Sequence, residues 1–227
     1  MARNSPPQSH SKKRVLIVDD HPMVREHLTE VIRREKGFEV CGEVSEAGAV
    51  IGAIAKLRPE LLLLDLNLKG VFAFDLIKDI KARYESLPII VVSMHDESVF
   101  AERVLRAGAS GYVSKEDPSK TVVEAMSRAL TGQTYVSDRM AARLTDAYVR
   151  GRHKQSKGSL DLLSDRELEI FELMGHGLGT RRIAEKLRID VRTVETYYTR
   201  MKAKLRLENS MELLMRAIEW VQTRRAG

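Results

Sequence analysis

Up to about residue 131 the chain alternates short apolar runs with longer stretches of mixed character. The runs are Val15–Val18, Phe38–Val44, Leu61–Leu64, Ile89–Val92 and Gly111–Val113. Most are continuously apolar rather than alternating, which predicts strands buried on both faces of a parallel sheet. Between them, apolar residues recur at helical spacing and predict helices over about 22–35, 46–58, 73–84, 97–107 and 118–131. The punctuation agrees. Gly37 is expected as the C-cap residue of the first helix, Pro59 ends the second and Pro118 opens the fifth. Strand and helix in regular alternation predict an α/β domain, a doubly wound five-stranded parallel sheet.

After Tyr135 the pattern changes. Ser137–Tyr148 reads as a short helix. RGRHKQSKGS, 150–159, is polar and basic with no apolar period and is the expected linker. Residues 160–225 carry no strand signal and read as four helices with short turns, a second, all-α domain. The opening MARNSPPQSHSKKR lacks the apolar stretch of a signal peptide and is expected to be a disordered tail. The expected division is thus tail 1–12, α/β domain 13–133, helix and linker 134–159, and helical domain 160–227. No segment approaches the roughly 18 uninterrupted apolar residues of a membrane helix, so no membrane role is expected. The single cysteine, Cys41, has no partner for an internal disulfide, which fits a cytoplasmic protein.

The location of the net charge, +6, sharpens this division. From residue 150 onward 17 Lys and Arg face 11 Asp and Glu, while 21 of each balance in residues 1–149. An excess confined to the C-terminal third suits contact with a polyanion such as double-stranded DNA.

Chemistry enters at the strand ends. VLIVDD runs into Asp19 and Asp20, LLLLDLNLKG into Asp65, IIVVS into Ser93, and GYVSK supplies Lys115. In doubly wound sheets, ligands sit at the carboxyl ends of the strands, so all five side chains are expected at one site. Adjacent carboxylates suit a hard divalent ion such as Mg²⁺, which takes oxygen ligands. An aspartate held there is a candidate covalent acceptor of a phosphoryl group. The lysine would stabilise charge on the phosphoryl oxygens, and the serine hydroxyl would sense the group's presence.

This order and spacing resembles the receiver domain of two-component response regulators over about residues 13–131. The resemblance implies Asp65 as phosphoacceptor, with Asp20 and Asp65 ligating Mg²⁺ through side chains and Asn67 through its backbone carbonyl. Asp19 would support the metal through water, Ser93 and Tyr112 would be the switch pair, and Lys115 would pair with the phosphoryl group. Two positions depart from the family. Lys69-Gly70 stands where Pro-Gly is frequent, and Glu116 follows the lysine where many receivers carry proline. His21, His27 and His95 lack metal-ligand spacing and are expected at the surface or in packing.

In the C-terminal part, Ser164-x-x-Glu167 is a capping box that opens a helix carrying Leu168, Phe171 and Met174 on one face and ending at Gly175 and Gly177. GTRRIAEKL follows with Thr180 as expected N-cap. After the turn Arg188-Ile189-Asp190, with Asp190 as the next cap, comes VRTVETYYTRMKAKLRL. Two helices joined by a tight turn form a helix-turn-helix, whose second helix enters the major groove. Val194, Tyr198, Met201 and Leu205 make its buried stripe. Arg192, Thr196, Thr199, Arg200 and Ala203 lie opposite. Glu195, Lys202 and Arg206 flank one side, and Tyr197 and Lys204 the other. Together with LSDREL and the LEN that follows, this segment resembles the LuxR-type domain of NarL/FixJ response regulators. The resemblance points to Glu195, Thr196 and Thr199 as base contacts, with Thr180, Arg192, Thr193, Arg200, Lys202 and Lys204 completing the expected DNA surface. Glu195 replaces the family's commoner lysine and suits a cytosine N4 donor or a neighbouring arginine. Trp220 on the last helix is expected in the core or at a dimer interface.

The expected function is a response regulator transcription factor. Phosphorylation of Asp65 by a cognate histidine kinase would switch DNA binding, with a homodimer forming on phosphorylation and RNA polymerase as a further partner. The alternative is a phosphorylation-independent DNA-binding regulator. An aspartyl phosphatase is disfavoured because Asn67 stands where that chemistry wants a second aspartate. The chain is expected to carry no activity beyond self-phosphorylation and self-dephosphorylation.

Overall fold

The computed structural model describes residues 12–149 and 159–223. All of the expected tail but Lys12, and nearly all of the expected linker, lie outside the described residues. Five parallel strands form the sheet: β1 (Lys13–Val18), β2 (Phe38–Val44), β3 (Leu61–Asp65), β6 (Ile89–Ser93) and β7 (Gly111–Ser114), in the order β2-β1-β3-β6-β7. A short antiparallel hairpin, β4 (Asn67–Leu68) and β5 (Val71–Phe72), follows β3 directly. The helices α1 (Pro22–Arg34), α2 (Ala47–Leu57), α3 (Phe74–Arg83), α4 (Glu97–Arg106) and α5 (Ser119–Leu130) connect the strands.

The continuous apolar runs fill both faces, because successive strand residues point to opposite sides. Val15, Ile17, Leu61, Leu63, Ile90 and Val92 pack with α1 and α5 through Leu28, Ile32, Val122 and Met126. Leu16, Val18, Leu62, Leu64, Ile89 and Val91 pack with α2, α3 and α4 through Ile54, Ile77, Ile80 and Phe100.

Helix α6 (Asp138–Val149) follows the sheet domain and packs on α4. The second part holds a 3₁₀ turn (Ser159–Leu162), α7 (Asp165–Gly175), α8 (Thr180–Leu187), α9 (Val191–Leu205) and α10 (Ser210–Thr223). The capping box is present: Ser164 accepts from the Glu167 N–H, and Glu167 accepts from the Ser164 N–H. Helix α7 ends at Gly175 as expected, with Gly177 (φ 82°) in the turn beyond. Gly175 is also a close-approach residue, since a Cβ there would run into the Ala217 carbonyl of α10. Trp220 is half-buried against Phe171, ring centroids 5.8 Å apart.

Several local expectations are corrected. Gly37 caps nothing: α1 closes at Glu35 in an extended conformation. Gly179, not Thr180, is the N-cap of α8. Asp190 occupies the N-cap of α9, but its side chain makes no capping hydrogen bond. The hairpin was not anticipated. Its loop, Lys69 (φ 54°) and Gly70 (φ 76°), puts both residues in the left-handed region, as a type I′ turn requires.

Helix α7 is buried all round rather than on one face, Glu167 to Met174 without a break. One side meets its own domain. The other meets the sheet domain, so a single apolar cluster runs from β3 through Phe72, Phe100 and Leu163 to Phe171. Arg103 of α4 fastens the contact, donating to the Leu163 carbonyl at 2.9 Å, the Leu160 carbonyl at 3.1 Å and Asp165 at 3.1 Å.

Candidate functional site

The strand ends converge as the pattern requires. Oxygens of Asp19, Asp20 and Asp65, together with a ring nitrogen of His21, lie within 4.8 Å of one another. Asp19 and Asp65 are buried and Asp20 half-buried. Lys115 reaches across from the end of β7, its Nζ 2.7 Å from Asp19 Oδ2 and 2.8 Å from Asp65 Oδ2. Burial raises the Asp65 pKa from 3.8 to about 6 against the opposing pull of Lys115. Such a cluster gathers more negative charge than one ammonium neutralises, and its oxygen donors fit a hard divalent cation.

The hairpin shapes the mouth of this site. The Asn67 N–H donates to Asp65 Oδ1 at 3.3 Å and the Lys69 N–H to Asp20 Oδ2 at 2.9 Å. On the other side, Glu116 after the lysine is accommodated by a turn in which Asp117 accepts from the Ser114 N–H at 3.0 Å and Ser114 Oγ from the Glu116 N–H at 3.2 Å.

Ser93 and Tyr112 are both buried. Tyr112 donates its hydroxyl to the His95 carbonyl at 2.5 Å, and the His95 N–H donates to Ser93 Oγ at 3.1 Å. His21 is exposed and His95 packed, as expected, and both stand at the site. His21 Nδ1 is 2.9 Å from Asp20 Oδ1, and His95 bridges the two switch side chains. His27 stays away from it, beside Ser119. The chain carries one weak signal for the first, its place next to Asp20, and none for the second.

The other candidate surface is α9. Val194 and Met201 are buried and Tyr198 and Leu205 half-buried, as the stripe predicted. Arg192, Glu195, Thr196, Thr199, Arg200 and Ala203 are exposed; Thr193 and Lys202 are half-buried. The domain contact is made by Leu160, Leu163, α7 and Lys186 of α8, and leaves this face open. Thr196 and Thr199 donate their hydroxyls to the carbonyls of Arg192 and Glu195, keeping lone pairs outward. Arg200 lies 5.8 Å from the centroid of the Tyr197 ring. Two expected contacts are committed elsewhere. Lys204 binds buried Glu167 at 2.6 Å, and Thr180, in the first turn of α8, faces the Tyr198 phenol.

Known proteins share this combination. Residues 15–147 match the family described as response regulator receiver domain, and residues 161–217 match bacterial regulatory proteins of the luxR family. The oxygen regulatory protein NreC of Staphylococcus haemolyticus (strain JCSC1435) is 30% identical over 210 residues, covering 91% of this chain and 97% of NreC. The transcriptional regulatory protein DegU of Brevibacillus brevis is 26% identical over 231 residues, covering 95% and 98%. RcsB from Salmonella enterica serovar Typhimurium, solved on a promoter with the phosphomimetic BeF3−, superposes with a TM-score of 0.69 at 27% identity, covering 91% of this chain and 98% of that one. Among the described residues no helix is long and apolar enough to cross a membrane. With a receiver sheet carrying the acidic centre and a helix-turn-helix behind it, the chain belongs to the response regulators with a LuxR-type DNA-binding domain.

Proposed function

We propose that this protein is a phosphorylation-switched transcription factor of a cytoplasmic two-component system, with Asp65 as phosphoacceptor for a cognate histidine kinase. The observation that carries the reading is the convergence of Asp19, Asp20, Asp65 and Lys115 from three strand ends. An Asp65 oxygen attacks the phosphorus of a phosphohistidine; the new O–P bond forms as the N–P bond breaks, and the imidazole regains a proton. The donor set fits Mg²⁺, with Asp20 and Asp65 as side-chain ligands, Asn67 as carbonyl ligand and Asp19 acting through water. When bound, the ion stabilises charge on the phosphoryl oxygens. Lys115 supplies the second positive charge, and Ser93 and Tyr112 register the modification. Chemistry beyond self-phosphorylation and self-dephosphorylation is not part of this reading.

The division 13–133, 134–159 and 160–227 separates switch, connector and DNA reader. In the reader, Glu195, Thr196 and Thr199 contact bases and Arg192, Thr193, Arg200 and Lys202 surround them, while Lys204 stays with Glu167 and Thr180 with Tyr198. Phosphorylation favours a homodimer on double-stranded DNA, from which RNA polymerase is engaged. The open face of α9 supports the second reading, a regulator that binds DNA regardless of Asp65. One experiment separates the two. DNA affinity is measured for wild type and Asp65→Ala, each with and without acetyl phosphate and Mg²⁺. Tighter binding in phosphorylated wild type alone, with the modification located at Asp65 by mass spectrometry, supports the switch. Equal affinities in all four conditions would leave the unswitched regulator.

A further inference from the structure

His95 stands two residues beyond Ser93, between the phosphorylation site and the helical domain, and the proposed chemistry makes no use of its ring. Its backbone serves the switch pair: the N–H donates to Ser93 Oγ and the carbonyl accepts from Tyr112. Its imidazole serves the other domain. The ring lies 5.3 Å from Phe72, edge to face, and 5.0 Å from Phe100. Nδ1 is 3.6 Å from Glu172 Oε1 on α7, the same oxygen that lies 3.6 Å from His176 Nε2. Phe72 is itself held by α7, its N–H donating to buried Glu169 at 2.7 Å. One residue thus touches both switch side chains and the docked face of the DNA-binding domain.

We infer that His95 is the positioning residue that carries the state of Asp65 to the helical domain, by tying the Ser93–Tyr112 pair to the docking of α7. The inference rests on Asp65 being the phosphoacceptor. A phosphoryl group there offers charged oxygens to the Ser93 hydroxyl, and charge-assisted hydrogen bonds are about twice as strong as neutral ones. Turning Ser93 toward the phosphoryl group withdraws the oxygen that the His95 N–H uses. The backbone of His95 then shifts, and its ring, packed against Phe72 and Phe100, shifts with it. Close-packed side chains of this kind move between discrete arrangements rather than deform continuously. The contact with Glu172 and the bond from Phe72 to Glu169 both depend on that packing. The unmodified chain is docked along α7; phosphorylation loosens the dock.

Hydrogen–deuterium exchange on the full chain tests this, with Mg²⁺ and beryllofluoride as the probe and its binding read separately by fluorine NMR. In wild type, beryllofluoride is expected to speed exchange in peptides spanning 70–74 and 165–175 by about fivefold or more, the low end of ordinary site-to-site coupling. In His95→Ala the probe still binds, but exchange is already fast and no longer responds. Glu172→Gln keeps the volume on the other side of the contact and is expected to lose the response in the same way. A purely structural His95 would lower the unfolding temperature and leave the response intact. A wild-type response in a folded His95→Ala or Glu172→Gln chain overturns the relay. Absence of probe binding in wild type overturns the phosphoacceptor reading instead, and the relay with it.

Discussion

Replacing Asp65 by asparagine is expected to stabilise the metal-free chain near neutral pH and to leave it unchanged in acid. Asp65 is 4% exposed and shares its site with two other carboxylates. Burial lifts its pKa from 3.8 to about 6, even with Lys115 against it. For an acid with a raised folded-state pKa, the folded state holds the proton more tightly. Its contribution to stability is therefore present below the unfolded pKa and is lost as pH rises through the window from about 4 to about 6. Above that window the ionised carboxylate costs on the order of 3 kcal/mol, at about 1.4 kcal/mol per unit of pKa. Asparagine has the shape of the neutral carboxyl and never ionises, and Lys115 keeps Asp19 as a partner at 2.7 Å. Urea denaturation of both chains in EDTA, at about pH 4 and about pH 8, reads the difference. Comparing variant with wild type at each pH cancels the carboxylates that do not interact with Asp65. The variant should be more stable by up to about 3 kcal/mol at the higher pH, by little at the lower. Adding Mg²⁺ should shrink the gap, because an ion bound by the folded wild type stabilises it by mass action. An equal gain at both pH values, or a loss at the higher one, would refute the reasoning.

Other consequences concern the helical domain. Gly175→Ala places a methyl group against the Ala217 carbonyl and Val221; a loss of about 1–3 kcal/mol in chemical unfolding is expected. Lys202→Ala should reduce the salt slope of DNA binding by about one. Lys204→Ala frees buried Glu167 from its ion pair, so it should lower the unfolding temperature and leave that slope unchanged; anisotropy titrations across salt concentrations distinguish the two. Glu195 is exposed, and among the described residues no ion pair holds it, so Glu195→Lys is expected to change which bases are selected from a random DNA pool. An unchanged consensus would remove Glu195 from the base contacts.

The sheet and the acidic centre were legible because the signals are local. A strand buried on both faces must be apolar at every position, and Leu61–Leu64 and Ile89–Val92 are. The polar residue that ends such a run lies at the carboxyl edge by construction, so Asp19, Asp20, Asp65, Ser93 and Lys115 could be gathered before any distance was known. The stripe of α9 followed from its period in the same way. The hairpin after Asp65 was not legible, since strands of two residues show no period.

What the chain left open depends on which surfaces meet. Glu167 reads only as a capping-box residue and Glu169 and Glu172 carry no local signal, yet all three are buried. Glu169 bonds the Phe72 N–H, a residue 97 positions away. Burial of charge is acceptable only with partners. Arg166 and the Ser164 N–H supply two of them locally, and the rest come from the sheet domain, from α9 and from His176 of the adjoining turn. The same holds for His95, whose spacing promised nothing and whose surroundings are supplied by Phe72, Phe100 and α7. Periodicity and strand-end chemistry determined the five sheet strands, the helices between them and the inward stripe of α9; only the packing of one domain on the other decided which polar side chains are held between them.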